Sequence, residues 1–275
     1  MKLITVSDNE RKRVQNRELL ILEEIDRICT EYNLKYIVAY GTLLGAIRHN
    51  GFIPWDDDVD ICMPRADFER FKEVCKTELR DSFFYQNNET DPEYFYLIDK
   101  IRLNGTVFRE SFVAKYNINH GVYVDIFPVD SVPKKGLKRY IQYYKFHFFR
   151  TGMMAKYLDL NARSGKKRAL MTVMRVLYLP FSVSFLYRHA VNTASKYSLD
   201  KSSLLAGSFF SPYRLKDFFD KSIFTDLQRH PFENIEVNIP KYYDLYLKQI
   251  YGDYMELPPV SEQNTRHTLT ELKLD

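Results

Sequence analysis

Asp56, Asp57, Asp58 and Asp60 put four carboxylates within five residues, and they run straight into an apolar stretch. Side chains alternate along a strand. A strand over residues 58–63 therefore puts Asp58, Asp60 and Cys62 on one face and Val59, Ile61 and Met63 on the other. Two carboxylates on one face repel, and each raises the other's pKa unless a cation lies between them. Short oxygen ligands of this kind suit Mg²⁺ or Mn²⁺. Mg²⁺ is commonly shared between such carboxylates and substrate phosphates, which points to phosphoryl chemistry. A solvated acidic turn is the plain alternative, and the apolar strand that follows argues against it.

Asp125 is the expected third carboxylate. It interrupts the alternating run GVYVDIF at residues 121–127, where Val122, Val124 and Ile126 share one face. An Asp inside a strand is unfavourable by propensity and by burial, so it needs a cation or a partner. Lys100 and Arg102, which share a strand face by spacing, could pair with it. With Arg48, the same two are expected phosphate contacts. Gly41-Thr42 stands 16 residues before the acidic strand, at the start of a short helix over residues 42–49 that Thr42 should cap. Glycine admits close approach of a ligand to the backbone, and a helix N-terminus offers free N–H groups to an anion. His267, beside Arg266, is assigned no role.

The elements that must hold these residues follow from periodicity. Helices are expected over residues 9–31 and 65–79, and strands at 36–40, 94–103 and 106–109. Asn50-Gly51 marks a turn. Residues 134–197 read as helical, basic and aromatic. Ile235, Val237 and Ile239 suggest one late strand, and a helix should follow over 241–251. The resulting division is a mixed α/β catalytic part, 1–130, and a mainly helical part, 131–275, whose late strand could rejoin the first.

The chain has 275 residues, is 45% hydrophobic and carries a net charge of +4, enough for a sizeable core. Twelve Lys or Arg and a single acid, Asp159, lie between residues 134 and 175. Tyr140, Tyr143, Tyr144, Phe146, Phe148, Phe149 and Tyr157 are interleaved with them. That pattern suits an anionic partner, and the expected one is the inner face of a membrane. Nucleic acid is not expected, because carboxylates in a phosphate groove repel. The N-terminus has no apolar leader segment, and no apolar run is long enough to span a bilayer. Cys29, Cys62 and Cys75 read as reduced thiols of a cytoplasmic protein.

The segment YGTLLGAIRHNGFIPWDDDVDICMPRADFERF, residues 40–71, resembles the signature of the LicD family of phosphocholine transferases. YVDIFP at 123–128, PFEN at 231–234 and YGDYMELPP at 251–259 resemble further family text. The resemblance covers residues 10–267 and is weakest across the basic helices. It implies an α+β, nucleotidyltransferase-like (polymerase-β-type) fold. It implies transfer of phosphocholine from CDP-choline to a sugar hydroxyl of a bacterial surface glycan, such as a lipid-linked teichoic acid precursor, with release of CMP. By motif match, Asp58 and Asp60 carry over as metal ligands and Asp125 as the third carboxylate. Asp56 carries over as an outer or second-metal group, and Gly41 and Thr42 as the phosphate-side turn. Choline would call for aromatic faces, and Trp55 is one such candidate. Transfer of ribitol or glycerol phosphate from a CDP donor is the sibling alternative. A D-x-D glycosyltransferase is disfavoured by the upstream Gly-Thr helix and the downstream VDIF.

Overall fold

The computed structural model describes residues 3–157, 165–197, 199, 204–265 and 267–275. In chain order the first elements are α1 (Asp8–Glu31), β1 (Ile37–Val38), α2 (Tyr40–His49), β2 (Asp60–Pro64), α3 (Arg65–Glu78), β3 (Phe83–Gln86), β4 (Asp99–Leu103), β5 (Val107–Glu110) and β6 (Tyr123–Pro133). Helices α4 (Leu137–Tyr157), α5 (Gly165–Leu177) and α6 (Val183–Ala194) follow. The chain then returns to strands: β7 (Leu204–Gly207), β8 (Phe218–Phe219), the one-turn α7 (Ser222–Thr225), β9 (Leu227–Phe232) and β10 (Ile235–Pro240). Helix α8 (Tyr243–Tyr251) and β11 (Leu269–Lys273) complete it. The α+β class expected from the sequence holds.

The main sheet runs β1-β2-β6-β4-β3, with β7 joined to β6 and β8 to β7. Only β2 and β6 among these pairs run parallel. Strand β6 is longer than the expected 121–127, and it serves two neighbourhoods. Its first half pairs with β2 and β4, and Asp130–Pro133 pairs with β7. Two-stranded sheets β9–β10 and β5–β11 flank this core.

Local signals explain most boundaries. Ser7 and Glu10 form a reciprocal cap on α1, with Glu10 N–H donating to the Ser7 hydroxyl at 3.3 Å and Ser7 N–H to the Glu10 carboxylate at 2.9 Å. Val14, Ile21, Leu22, Ile25 and Ile28 form the buried stripe of that helix. Helix α2 begins two residues before the expected cap, because β1 feeds directly into it: Ala39 N–H donates to Asp60 O at 2.9 Å. Thr42 is therefore not the cap. Its hydroxyl accepts the Asp60 N–H at 2.9 Å instead. Strand β4 is shorter than expected, because Tyr94 O–H closes the preceding turn onto Ile98 O at 2.9 Å.

One hydrophobic cluster extends from Val14 to Leu274 and includes β10, so residues on both sides of position 130 share a core. Helices α4 and α6 pack together. The Gln142 amide, buried between them, donates to the carbonyls of Ser131, Thr193 and Ala194 at 3.0–3.3 Å. Gly152 lets α4 lie against Tyr178, where a Cβ would come within 2.5 Å of the ring. The three cysteines are buried free thiols.

Candidate active site

Strand register sets the centre of the site. Asp60 on β2 lies beside Asp125 on β6, and Lys100 on β4 lies beside Asp125 from the other side. Paired residues of adjacent strands point to the same face, so the three side chains form a row across the sheet. Lys100 Nζ is 2.5 Å from Asp125 Oδ1 and sits 3.3 Å from the centroid of the Tyr123 ring. Asp58 comes from the residues leading into β2, where Asp125 N–H donates to Val59 O at 2.9 Å.

The loop bearing the acids is held from three directions. The Gln15 amide on α1 donates to Asp56 O at 2.9 Å and to Ile53 O at 3.3 Å. The Glu233 carboxylate, on the β9–β10 turn, accepts Phe52 N–H at 3.2 Å, while Glu233 N–H donates to Asn50 O at 2.8 Å. Gly41 brings α2 against the acids, and a Cβ there would stand 2.8 Å from Asp56 Oδ2.

Asp57 points away from its neighbours. Only 2% exposed, it accepts from His267 Nδ1 at 3.0 Å. The other imidazole nitrogen is 3.4 Å from the Tyr123 hydroxyl and 3.7 Å from Glu110 Oε1. Burial opposes a charge on His267, but the Asp57 hydrogen bond and the charges of Asp58, Glu110 and Asp57 outweigh it, pushing its pKa up to about 10. The imidazole therefore stands as a cation behind the acidic loop.

The remaining carboxylates are under electrostatic strain. Burial, then the charges of Asp58, Asp125 and Asp56, push Asp60 well above the usual carboxylate range, against the pull of Lys100. Asp58 is raised by burial and by Asp57 and Asp125, opposed by His267 and by a hydrogen bond to Asp56. Glu18 on α1 is buried behind the same cluster and raised by burial and by Asp58, Asp57 and Asp56.

These residues form the floor of a cleft of about 740 Å³. Asp56, Asp58, Asp60, Asp125, Gly41, Arg48 and Trp55 all line it. Arg48 faces it while donating to Tyr254 O at 2.9 Å. Thr42 and Lys100 stand behind the lining, the first bonded to Asp60 and the second to Asp125. Arg102 is elsewhere: 2% exposed, it donates to Gln86 Oε1 at 2.5 Å and to Gly121 O at 2.6 Å, where it ties strands together. One wall is aromatic in a way the sequence did not single out. Tyr40 stacks on Tyr213 with centroids 5.5 Å apart, and the Tyr213 hydroxyl donates to that of Tyr251 at 2.9 Å. Among the described residues, no three carboxylate, imidazole or thiolate groups are gathered in metal-ligating geometry.

Residues 33–158 match the LicD/FKTN/FKRP nucleotidyltransferase domain. Residues 33–158 belong to the LicD family. It is 29% identical over 266 residues to the lipopolysaccharide cholinephosphotransferase LicD of Haemophilus influenzae, an alignment covering 90% of this chain and 92% of that protein. Shorter similarities reach two uncharacterised rickettsial proteins. One, from Rickettsia typhi, is 35% identical over 79 residues, 26% of each chain. The other, from Rickettsia prowazekii, is 26% identical over 145 residues, covering 44% of this chain and 51% of that one.

The LicD nucleotidyltransferase match encloses Gly41, Thr42, Arg48, Asp56, Asp58, Asp60, Lys100, Arg102 and Asp125. It does not reach His267, Tyr213 or Tyr251. Those residues come from the C-terminal part, beyond the LicD match, and close the site from behind and from one wall. Sequence spacing carries no signal for them, because contacts such as His267–Asp57 span 210 residues.

Proposed function

We propose that this chain transfers phosphocholine from CDP-choline to a sugar hydroxyl of a bacterial cell-surface glycan and releases CMP. The observation that carries the reading is the cleft floor, where Asp58 and Asp60 are half-buried beside Asp56 and Asp125 and resist ionising together. Similarity across 92% of a lipopolysaccharide cholinephosphotransferase supports it.

By donor chemistry the residues suit a divalent cation, although no three of their groups are gathered in ligating geometry among the described residues. Their oxygens are hard donors, and their mutual repulsion is the condition a cation would relieve. Asp58 and Asp60 would hold it, with Asp125 and Asp56 beside them. When bound, Mg²⁺ or Mn²⁺ supplies offsetting charge for the donor pyrophosphate and the leaving CMP.

The chain's own groups do the rest. In the transfer, a bond forms from the acceptor oxygen to the choline-bearing phosphorus, and the bond from that phosphorus to the bridging oxygen breaks. Asp125 takes the hydroxyl proton in this scheme, and Lys100 fixes its carboxylate by the 2.5 Å contact. Arg48 lies on the cleft wall as the phosphate contact, and the backbone of Gly41 leaves room beside Asp56. The half-buried rings of Tyr213 and Tyr251, backed by the buried Tyr40, would offer faces to a quaternary ammonium group.

The test is a donor panel. Purified protein, a glycan acceptor and Mg²⁺ are combined with CDP-choline, CDP-ribitol, CDP-glycerol or UDP-sugars, and nucleotide release is measured with and without chelator. CMP release from CDP-choline, lost on chelation, is expected. Release confined to another donor would overturn the choline assignment, and full activity in chelator would overturn the metal.

A further inference from the structure

We propose that helices α4 and α5 form a docking face for an anionic lipid bilayer. Its first component is apolar. Leu137, Ile141, Tyr144 and Phe148 recur at spacings of four, three and four, so they form one stripe along α4. Gln142, Tyr143, Phe146, Phe149 and Met153, which α4 buries, lie on the opposite side. The outward side of a surface helix ordinarily carries polar residues. Here even the least exposed member of the stripe, Phe148, is 47% exposed, and Leu137 is 73% exposed. Helix α5 buries none of its residues, and Leu170, Val173 and Leu177 are exposed along it.

The two helices are joined, so these groups form one surface. The Tyr178 ring lies 5.1 Å from that of Phe148, and its hydroxyl donates to Phe148 O at 2.9 Å. Arg175 donates to Ala155 O at 3.0 Å and Lys156 O at 2.8 Å. A contiguous apolar surface of this kind marks an interaction site, whereas scattered single residues do not.

The second component is charge. Helices α4, α5 and α6 contain no Asp or Glu. Lys135, Lys138, Lys145, Lys166, Lys167 and Arg168 are exposed around the apolar stripe. Asp159 and Arg163 of the basic stretch lie outside the described residues, and Lys134 is paired with Asp220 at 3.4 Å. The structure also reassigns the aromatics: Tyr143, Phe146 and Phe149 belong to the core, so the outward apolar groups are chiefly aliphatic.

This combination selects a bilayer. Lysine stems snorkel to anionic headgroups while leucine, isoleucine and phenylalanine enter the acyl boundary. A glycan or nucleic acid would engage the charges and leave the aliphatic residues in water. A second copy of the chain would set basic helices against basic helices. The inference does not depend on which group the cleft transfers.

The experiment is co-sedimentation of the full chain with vesicles of phosphatidylcholine alone and with phosphatidylglycerol added. Binding to the anionic vesicles, weakening as salt rises, is expected. Ile141→Gln with Phe148→Ser, and separately Lys138→Gln with Lys145→Gln, should each weaken binding roughly 10-fold or more. Ile141, Lys138 and Lys145 are exposed, so their changes should leave circular dichroism melting unchanged, whereas Phe148→Ser also gives up the Tyr178 and Phe181 rings and should lower Tm modestly. Ile141→Trp should be quenched by brominated acyl chains, read against Trp55, the one native tryptophan. No binding at low salt would overturn the proposal. Binding that survives loss of Ile141 and Phe148, with no quenching, would reduce it to charge adsorption and overturn it too. An apolar-face variant that turns a dimer into a monomer, with no vesicle binding by wild type, would assign the face to a second copy.

Discussion

Asp58 and Asp60 sit half-buried among further carboxylates, and both resist ionising. On the proposed metal assignment, Asp58→Asn and Asp60→Asn should each abolish turnover, because a neutral amide offsets none of a divalent cation's charge. Both variants should stay folded. The sign of the stability effect follows from linkage. A carboxylate whose folded pKa is raised favours the fold in its protonated form; that stability is present below the ordinary pKa near 4 and is lost as pH rises through the raised value. Removing the carboxyl should therefore flatten the fall of Tm with pH. Near-wild-type kcat in either variant would remove it from the chemistry.

Asp217 offers the same test away from the acids. It is buried, accepts from Tyr40 O–H at 2.7 Å, and is raised by burial to about 7 against those hydrogen bonds. Wild-type stability should decline between about pH 4 and pH 7, and Asp217→Asn should have the higher Tm at pH 8 but not at pH 4. Parallel melting curves across that range would contradict the assignment. For Asp125, comparing kcat with Tm decides: Asp125→Asn should lose at least ~10²-fold in rate as proton acceptor, whereas a purely structural partner of Lys100 would chiefly lose stability. At this scale the acids were legible, because polar side chains in an apolar strand demand a reason. Arg102 was not, since the spacing that put it beside Lys100 says nothing about Gln86 on the next strand.

The elements around the site depend on close backbone approaches. Gly45 on α2 lies against the turn, where a Cβ would stand 2.4 Å from Gly51 O and 3.1 Å from Ile53 N. Both neighbours are backbone, so neither can yield cheaply. Gly45→Ala should destabilise by about 1–3 kcal/mol and displace the loop that carries the acids. Denaturant unfolding and CMP release should fall together. Helices α1 and α3 and strands β2 and β6 were readable because their hydrophobic period is strong. Strands β3, β7, β8, β9 and β11 were not: they are two to six residues long, and tertiary pairing rather than local pattern defines them. Thr42 was misread as a cap for a related reason, since β1 delivers the chain into α2 through Ala39 alone, whose methyl side chain cannot cap.

Across the whole molecule, the C-terminal residues return to the first ones. Leu269 pairs with Glu110 and bridges to Ile4, Arg17 donates to Leu274 O at 3.1 Å, and His267 reaches Asp57. Removing residues 267–275 should lower Tm and abolish activity, and His267→Ala alone should lower activity while leaving β11 paired. The His267 contact also sets an order of events during synthesis. Until residue 267 has been made, a nascent chain holds its acidic loop with no imidazole behind it, so the carboxylates repel without relief from that side. The hydrogen bond from that imidazole to Asp57 can therefore form only after nearly the whole chain has been made. The wall built from Tyr213 and Tyr251 and the imidazole behind the loop are thus among the last parts of the cleft to be made.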